Sequence, residues 1–275
     1  MTALLLALQV LLVVTGGAVR LTGSGLGCPT WPECTEGSYK PVEGQAEGQL
    51  HAWIEFGNRL LTFALILAAL IVFISVIRHK RRDLYLLSFL QIAGIFGQGV
   101  LGGISVLTKL NPIPVAGHLL LSMLLIAGAT SLFEYRKIPR SKTSPTGVVS
   151  YLSRAHIALT ALVLIVGTVV TGSGPHAGDW QAPRFHFDVR YIAWLHADVV
   201  IALLGVSLAL WVGTYGVAKK RAQVFILIAL LQGLIGYTQF YLGLPQLIVG
   251  AHLLGASLIM VAAWRLRLSI TRKMD

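Results

Sequence analysis

The sequence predicts an all-α, polytopic membrane protein, with eight transmembrane helices arranged as two pseudo-symmetric four-helix bundles. Three observations carry this. The 275 residues are 55% hydrophobic and 12% charged, with a mean hydropathy of +0.75, whereas a soluble domain carries about 25% charged residues. Apolar runs long enough to cross ~30 Å of hydrocarbon recur along the chain. Short stretches of the first half return in the second.

In order, the runs cover about 3–20, 51–77, 84–106, 114–133, 151–171, 191–215, 223–241 and 246–264. No small-residue cleavage pattern follows the first, so it is expected to be a retained helix rather than a signal peptide. A net charge of +11 raises the question of nucleic acid, and the placement of the charge argues against it. Lys and Arg gather at 78–82 (RHKRR), 136–142 (RKIPRSK), 219–221 (KKR) and 265–273 (RLRLSITRK), on alternate loops. This is the positive-inside pattern. Those loops and both termini are expected on the cytoplasmic side of the cell membrane, against anionic lipid, with the other loops outside.

The loop after the first run, GSGLGCPTWPEC (23–34), holds the only two cysteines, Cys28 and Cys34. On the outer side thiols meet an oxidising compartment and persist as a disulfide. Five residues separate the pair, two of them proline, and closure is feasible. A loop staple and a redox-active pair both fit.

The repeat runs in parallel. TGSG occurs at 22–25 and 171–174, LHA at 50–52 and 195–197, and GHLLLS (117–122) matches AHLLGAS (251–257). Both halves start inside and run the same way, so the axis relating them is expected near the membrane normal. The halves are taken as 1–138 and 151–275, joined by a cytoplasmic linker, 139–150.

A polar residue inside a membrane helix is costly and points to function. His51, His118, His196 and His252 lie in even-numbered runs, each within about two turns of its outer start, and are expected at similar depth. One imidazole from each of two facing helices is how a haem iron is held on both axial sides. His51 would pair with His118, and His196 with His252. His79, His176 and His186 are expected in solvent, and His156 at the inner interface. Glu55 lies one turn below His51 and four residues before Arg59. It is either ion-paired or a proton acceptor and charge stabiliser near a reacting centre. Asp198 is expected to hydrogen-bond an imidazole or a propionate-binding group.

The outer GGAVRLTGSGLGCPTWPEC, the IExxxR pattern of Ile54, Glu55 and Arg59, and the histidines of runs four, six and eight resemble the haem A synthase (COX15/CtaA) family. The resemblance covers nearly the whole chain. It implies an oxidoreductase that oxidises the C8 methyl of haem O to a formyl group, giving haem A for cytochrome oxidase. It implies a resident haem b on His196 and His252, and the substrate haem O on His118 in the N-terminal half. Glu55 would be the catalytic carboxylate, with Arg59 beside the substrate, and Cys28 and Cys34 match an outer-loop pair. The implied partners are haem O, the haem O synthase that supplies it, and an unidentified membrane electron acceptor or donor. The oligomeric state stays open, a homo-oligomer included.

The chain departs from the family's Glu-x-x-His-Arg in having Asn58 at the histidine position. Either His51, which the LHA repeat equates with His196, is the ligand, or His118 binds the iron alone with Asn58 hydrogen-bonding nearby. The first is slightly favoured. Two other classes would use the same features: a two-haem, quinol-oxidising electron carrier of cytochrome b type, and a parallel-repeat transporter built on Glu55, Arg59 and Asp198. The outward depth of these groups disfavours the transporter. Gly94, Gly97, Gly99, Gly102 and Gly103 in run three fit close helix packing, or a gap for a farnesyl tail.

Overall fold

The computed structural model describes residues 1–45, 48–137 and 147–271. They form α1 (Thr2–Leu21), α2 (Gln49–Arg78), α3 (Tyr85–Leu107), α4 (Pro112–Tyr135), α5 (Val148–Ser173), α6 (Val189–Gly213), α7 (Gly216–Tyr241) and α8 (Gln246–Thr271). All eight are long and apolar enough to cross a membrane, one for each apolar run. Helices satisfy their own backbone polar groups, which hydrocarbon demands. The sequence marks the starts of two of these helices. Asn111 caps α4 by accepting from the Ile113 N–H, with Pro112 next to it, and Asp188 caps α6 through the N–H groups of Arg190 and Tyr191.

In each half, consecutive helices pack against one another and the first packs against the fourth: α1 on α4, α5 on α8. The halves meet through α1, α4, α5 and α8, so α2 and α3 flank one side and α6 and α7 the other. Leu5, Leu65, Val72, Ile95 and Leu132 pack the N-terminal half. Leu203, Phe225, Ile259 and Ala263 pack the C-terminal half. Val13, Met123, Ile126, Leu164 and Met260 fill the seam. At the end of the seam away from the cysteine loop Glu134 takes Arg221 at 2.5 Å and Arg265 at 2.8 Å, and the Trp264 indole N–H donates to Ser131 at 2.6 Å. Glu134 falls just beyond the fourth apolar run, yet it lies inside α4. Its charge is tolerable there because two guanidiniums hold it.

Most of the expected linker, and the ends of the basic clusters at 136–142 and 265–273, lie outside the described residues. His156 is a correction to the expected interfacial placement. It is 1% exposed and packs edge-on against Phe225, with ring centroids 4.4 Å apart, because its face of α5 turns into the C-terminal core rather than towards headgroups.

Candidate active site

A cavity of about 1030 Å³ opens among α1–α4 at the end that carries the cysteine loop and reaches α8, at the top of the roughly 300–1,000 Å³ usual for small-molecule sites. Leu12, Phe56, Leu60, Phe63 and Val106 give it apolar walls. Its polar lining includes Arg20, Glu55, Asn58, Arg59, Gln98, His118 and His252.

The cysteine loop builds one end. Cys28 and Cys34 are bonded, S–S 2.08 Å, and both are fully buried. The ring they close turns its carbonyls onto Arg59, which donates to Cys28 O at 3.0 Å, Thr30 O at 3.2 Å and Glu33 O at 3.1 Å. Arg59 also binds Glu55 at 2.6 Å. The other Glu55 oxygen accepts from the Cys28 N–H at 2.7 Å. Trp31, inside the ring, lies on α3 where a methyl at Gly103 would come within 2.5 Å of its indole. That glycine therefore serves the loop's close approach, where the sequence pointed to helix packing. The ion-pair reading of Glu55 holds, and the residue also faces the cavity. It is only 6% exposed.

Matched depth holds for three of the four histidines. His118, His196 and His252 come six, seven and six residues after the starts of α4, α6 and α8, but His51 comes two after the start of α2. At 1.5 Å per residue His51 is about 6–8 Å nearer the start of its own helix than the other three are, so the LHA repeat does not give it the place along α2 that His196 has along α6. The His51 ring bonds the Ser24 hydroxyl through Nδ1 at 2.9 Å, and His51 is not in the cavity wall. Asn58 is.

The three deeper imidazoles share an arrangement, each lying over a glycine of the preceding odd helix. A methyl at Gly102 would lie 3.5 Å from the His118 ring. At Gly167 and Gly236 it would lie 3.2 Å from the rings of His196 and His252. Asn58 has the corresponding place against α1, 3.9 Å from a methyl at Gly16, and its Oδ1 accepts from the Thr15 hydroxyl at 2.8 Å. His118 and His252 reach the cavity wall, and His196 does not.

Two outer groups differ from expectation. His176 is not a free surface residue. It is half-buried in the cavity wall and bonds Leu244 O through Nε2 at 2.8 Å, because the 174–188 loop folds over the bundle. Asp198 is exposed on α6, and among the described residues no hydrogen bond joins it to an imidazole. Sequence reasoning missed Arg20, which donates to Thr171 O at 2.9 Å and to His176 O, and it missed Gln98 and Gln232 beside His118 and His252. A signal for the glutamines was present in the repeat QGVLG (98–102) and QGLIG (232–236).

Fold and cavity define a multi-pass helical membrane protein with an inner site that combines imidazole, carboxylate and guanidinium groups. The model of the COX15-CtaA family, described as cytochrome oxidase assembly protein, matches residues 1–178, and the chain belongs to that family. It is similar to the haem A synthase of Shewanella oneidensis, with 26% identity over 93% of this chain and 91% of the relative. The haem A synthase of Rhizobium rhizogenes is 25% identical over 92% of this chain and 85% of its own length. That of Geobacillus kaustophilus is 32% identical over 37% of this chain and 31% of its own.

Proposed function

We propose that the chain is a haem A synthase, an oxidoreductase that converts the C8 methyl of haem O to a formyl group and so supplies haem A for cytochrome oxidase. The observation that carries this is the cavity shared by Glu55, Arg59 and His118 in a chain of this family. Haem suits the residues present. The cavity is large and mostly apolar, imidazoles lie over glycines that leave room beside them, and Nδ1 of both His196 and His252 is buried without a hydrogen-bond partner among the described residues.

The N-terminal half, 1–138, would hold haem O, with His118 available to its iron and Asn58 in the same cavity wall. The C-terminal half, 151–275, keeps a resident haem b on His196 and His252. Bound haem supplies one-electron chemistry at a potential tuned by its ligands and by burial. Glu55 is a fixed carboxylate at the cavity wall. Its two oxygens are already oriented by Cys28 and Arg59, so it can accept a proton or stabilise positive charge at the methyl without rearranging. Arg59 and Arg20 offer cations to the propionates. The protein sits in the cell membrane with both termini cytoplasmic and the cysteine loop outside. It receives haem O from a haem O synthase and passes electrons to a membrane acceptor.

The test is to express the chain in a host that makes haem O and no haem A, then extract and separate the haems. Haem A is the expected product. A protein that carries haem and yields none would be an electron carrier, and a protein without haem would sink both readings.

A further inference from the structure

Gln98 and Gln232 stand in the same relation to two imidazoles. Each opens a Gln-Gly-x-x-Gly stretch, on α3 and α7 respectively, and each lies twenty residues before a histidine, His118 or His252. Each side-chain amide N–H crosses to the backbone of that histidine. Gln98 donates to His118 O at 3.0 Å, and Gln232 donates to His252 O at 2.8 Å. Gln98 donates also to the Ser122 hydroxyl at 2.7 Å.

An amide has a donor end and an acceptor end. A backbone carbonyl accepts and cannot donate, so it pins the donor end and leaves the oxygen for the ring. In the N-terminal half that bond is made, between His118 Nδ1 and Gln98 Oε1. In the C-terminal half its two members, His252 Nδ1 and Gln232 Oε1, are both buried and, among the described residues, both without a partner. Buried polar groups are seldom left so. These are the same two atoms, residue for residue, that make the bond in the N-terminal half.

We infer that Gln98 and Gln232 are positioning residues for a ring-bound iron, each accepting the Nδ1–H of its histidine and so presenting Nε2 to the metal. This rests on the haem reading above. The oxygen fixes the tautomer, because an imidazole that donates from Nδ1 keeps its lone pair on Nε2. It also stops the ring from rotating about its bond to Cβ. As a neutral acceptor, an amide draws less on the Nδ1 proton than a carboxylate would. The ligand stays a neutral imidazole, and the iron stays easier to reduce.

The experiment uses the full-length membrane protein with Gln232→Met and Gln232→Glu. Methionine fills nearly the same volume and removes the acceptor, and glutamate makes the acceptor stronger. The readout is the midpoint potential and low-spin spectrum of the bound haem. The potential is expected to rise in Gln232→Met and fall in Gln232→Glu relative to the unaltered chain. Haem affinity is expected to drop roughly 10–100-fold in Gln232→Met and to be retained in Gln232→Glu. If a variant purifies without haem, titration with haem b supplies the same comparison. Equal loss of affinity in both variants, or potentials that stay put or move together, would show a packing role only and overturn the inference. Gln98→Met and Gln98→Glu, titrated with haem O, repeat the test in the other half. An unaltered chain that binds no haem would sink the haem reading itself, which is a different result.

Discussion

Glu55→Gln separates a catalytic carboxylate from a structural one. The carboxylate accepts the Cys28 N–H at 2.7 Å and Arg59 at 2.6 and 3.2 Å. Glutamine keeps an oxygen for Cys28 but turns an NH2 group towards the guanidinium, so the bonds to Arg59 are lost. Breaking a buried ion pair commonly costs about 3–5 kcal/mol, because a charge is left stranded. Here Arg59 is not stranded. Its side chain is 22% exposed, and it keeps the carbonyls of Cys28, Thr30 and Glu33. The expected loss of stability is therefore about 1–3 kcal/mol, small enough for the folded protein to be purified. Removing a preoriented group that meets developing charge costs roughly 10²–10³-fold in rate. The assay is haem A formed per bound haem, measured beside the haem spectrum and thermal stability. The expected result is a near-native spectrum, accumulated haem O and little haem A. Normal turnover per haem in a well-folded Glu55→Gln protein would refute the assignment and leave Glu55 as a partner of Arg59 alone.

His252→Ala and His196→Ala should each lower haem content and change the low-spin spectrum of the resident haem, and unchanged spectra in both would exclude them as ligands. His51→Ala, which removes a ring tied to Ser24 outside the cavity, should leave haem spectra unaltered, whereas a lost signal would restore His51 as a ligand. Asn58→His should convert bound haem O to a six-coordinate, low-spin form visible by electron paramagnetic resonance, and a spectrum identical to the unaltered chain would mean that Asn58 does not face the iron. The cysteines should resist thiol labelling until reduced. Opening their short loop with Cys28→Ser and Cys34→Ser should cost about 2 kcal/mol and loosen the Arg59 cradle, measured as lower thermal stability with haem O binding weakened more than haem b binding.

Much of the site was legible because its residues break the pattern around them. Glu55 and the imidazoles stand out against apolar helices, and the cysteines stand out as the only pair in the chain. Depth was harder to read. The LHA repeat put His51 level with His196, although their apolar runs start at 51 and 191 and so already set the two five residues apart along their helices, as α2 and α6 do. The QGVLG and QGLIG repeat escaped notice because its glutamines sit amid small and apolar residues that already suggested helix packing.

Taken alone, the sequence determined the class of the protein and the number of spans. These follow from the lengths of apolar runs and the distribution of charge, which local composition encodes directly. The tertiary structure alone decided which faces of the helices meet. In lipid an outward leucine and an inward leucine are equally well solvated, so hydrophobic periodicity gives little guide to rotation about a helix axis. The rotation comes from close contacts and interhelical hydrogen bonds. Glycines beneath the rings, Thr15 on Asn58, the glutamines on the backbones of His118 and His252, and the disulfide ring around Arg59 turn Asn58 to the cavity and leave His51 at its rim.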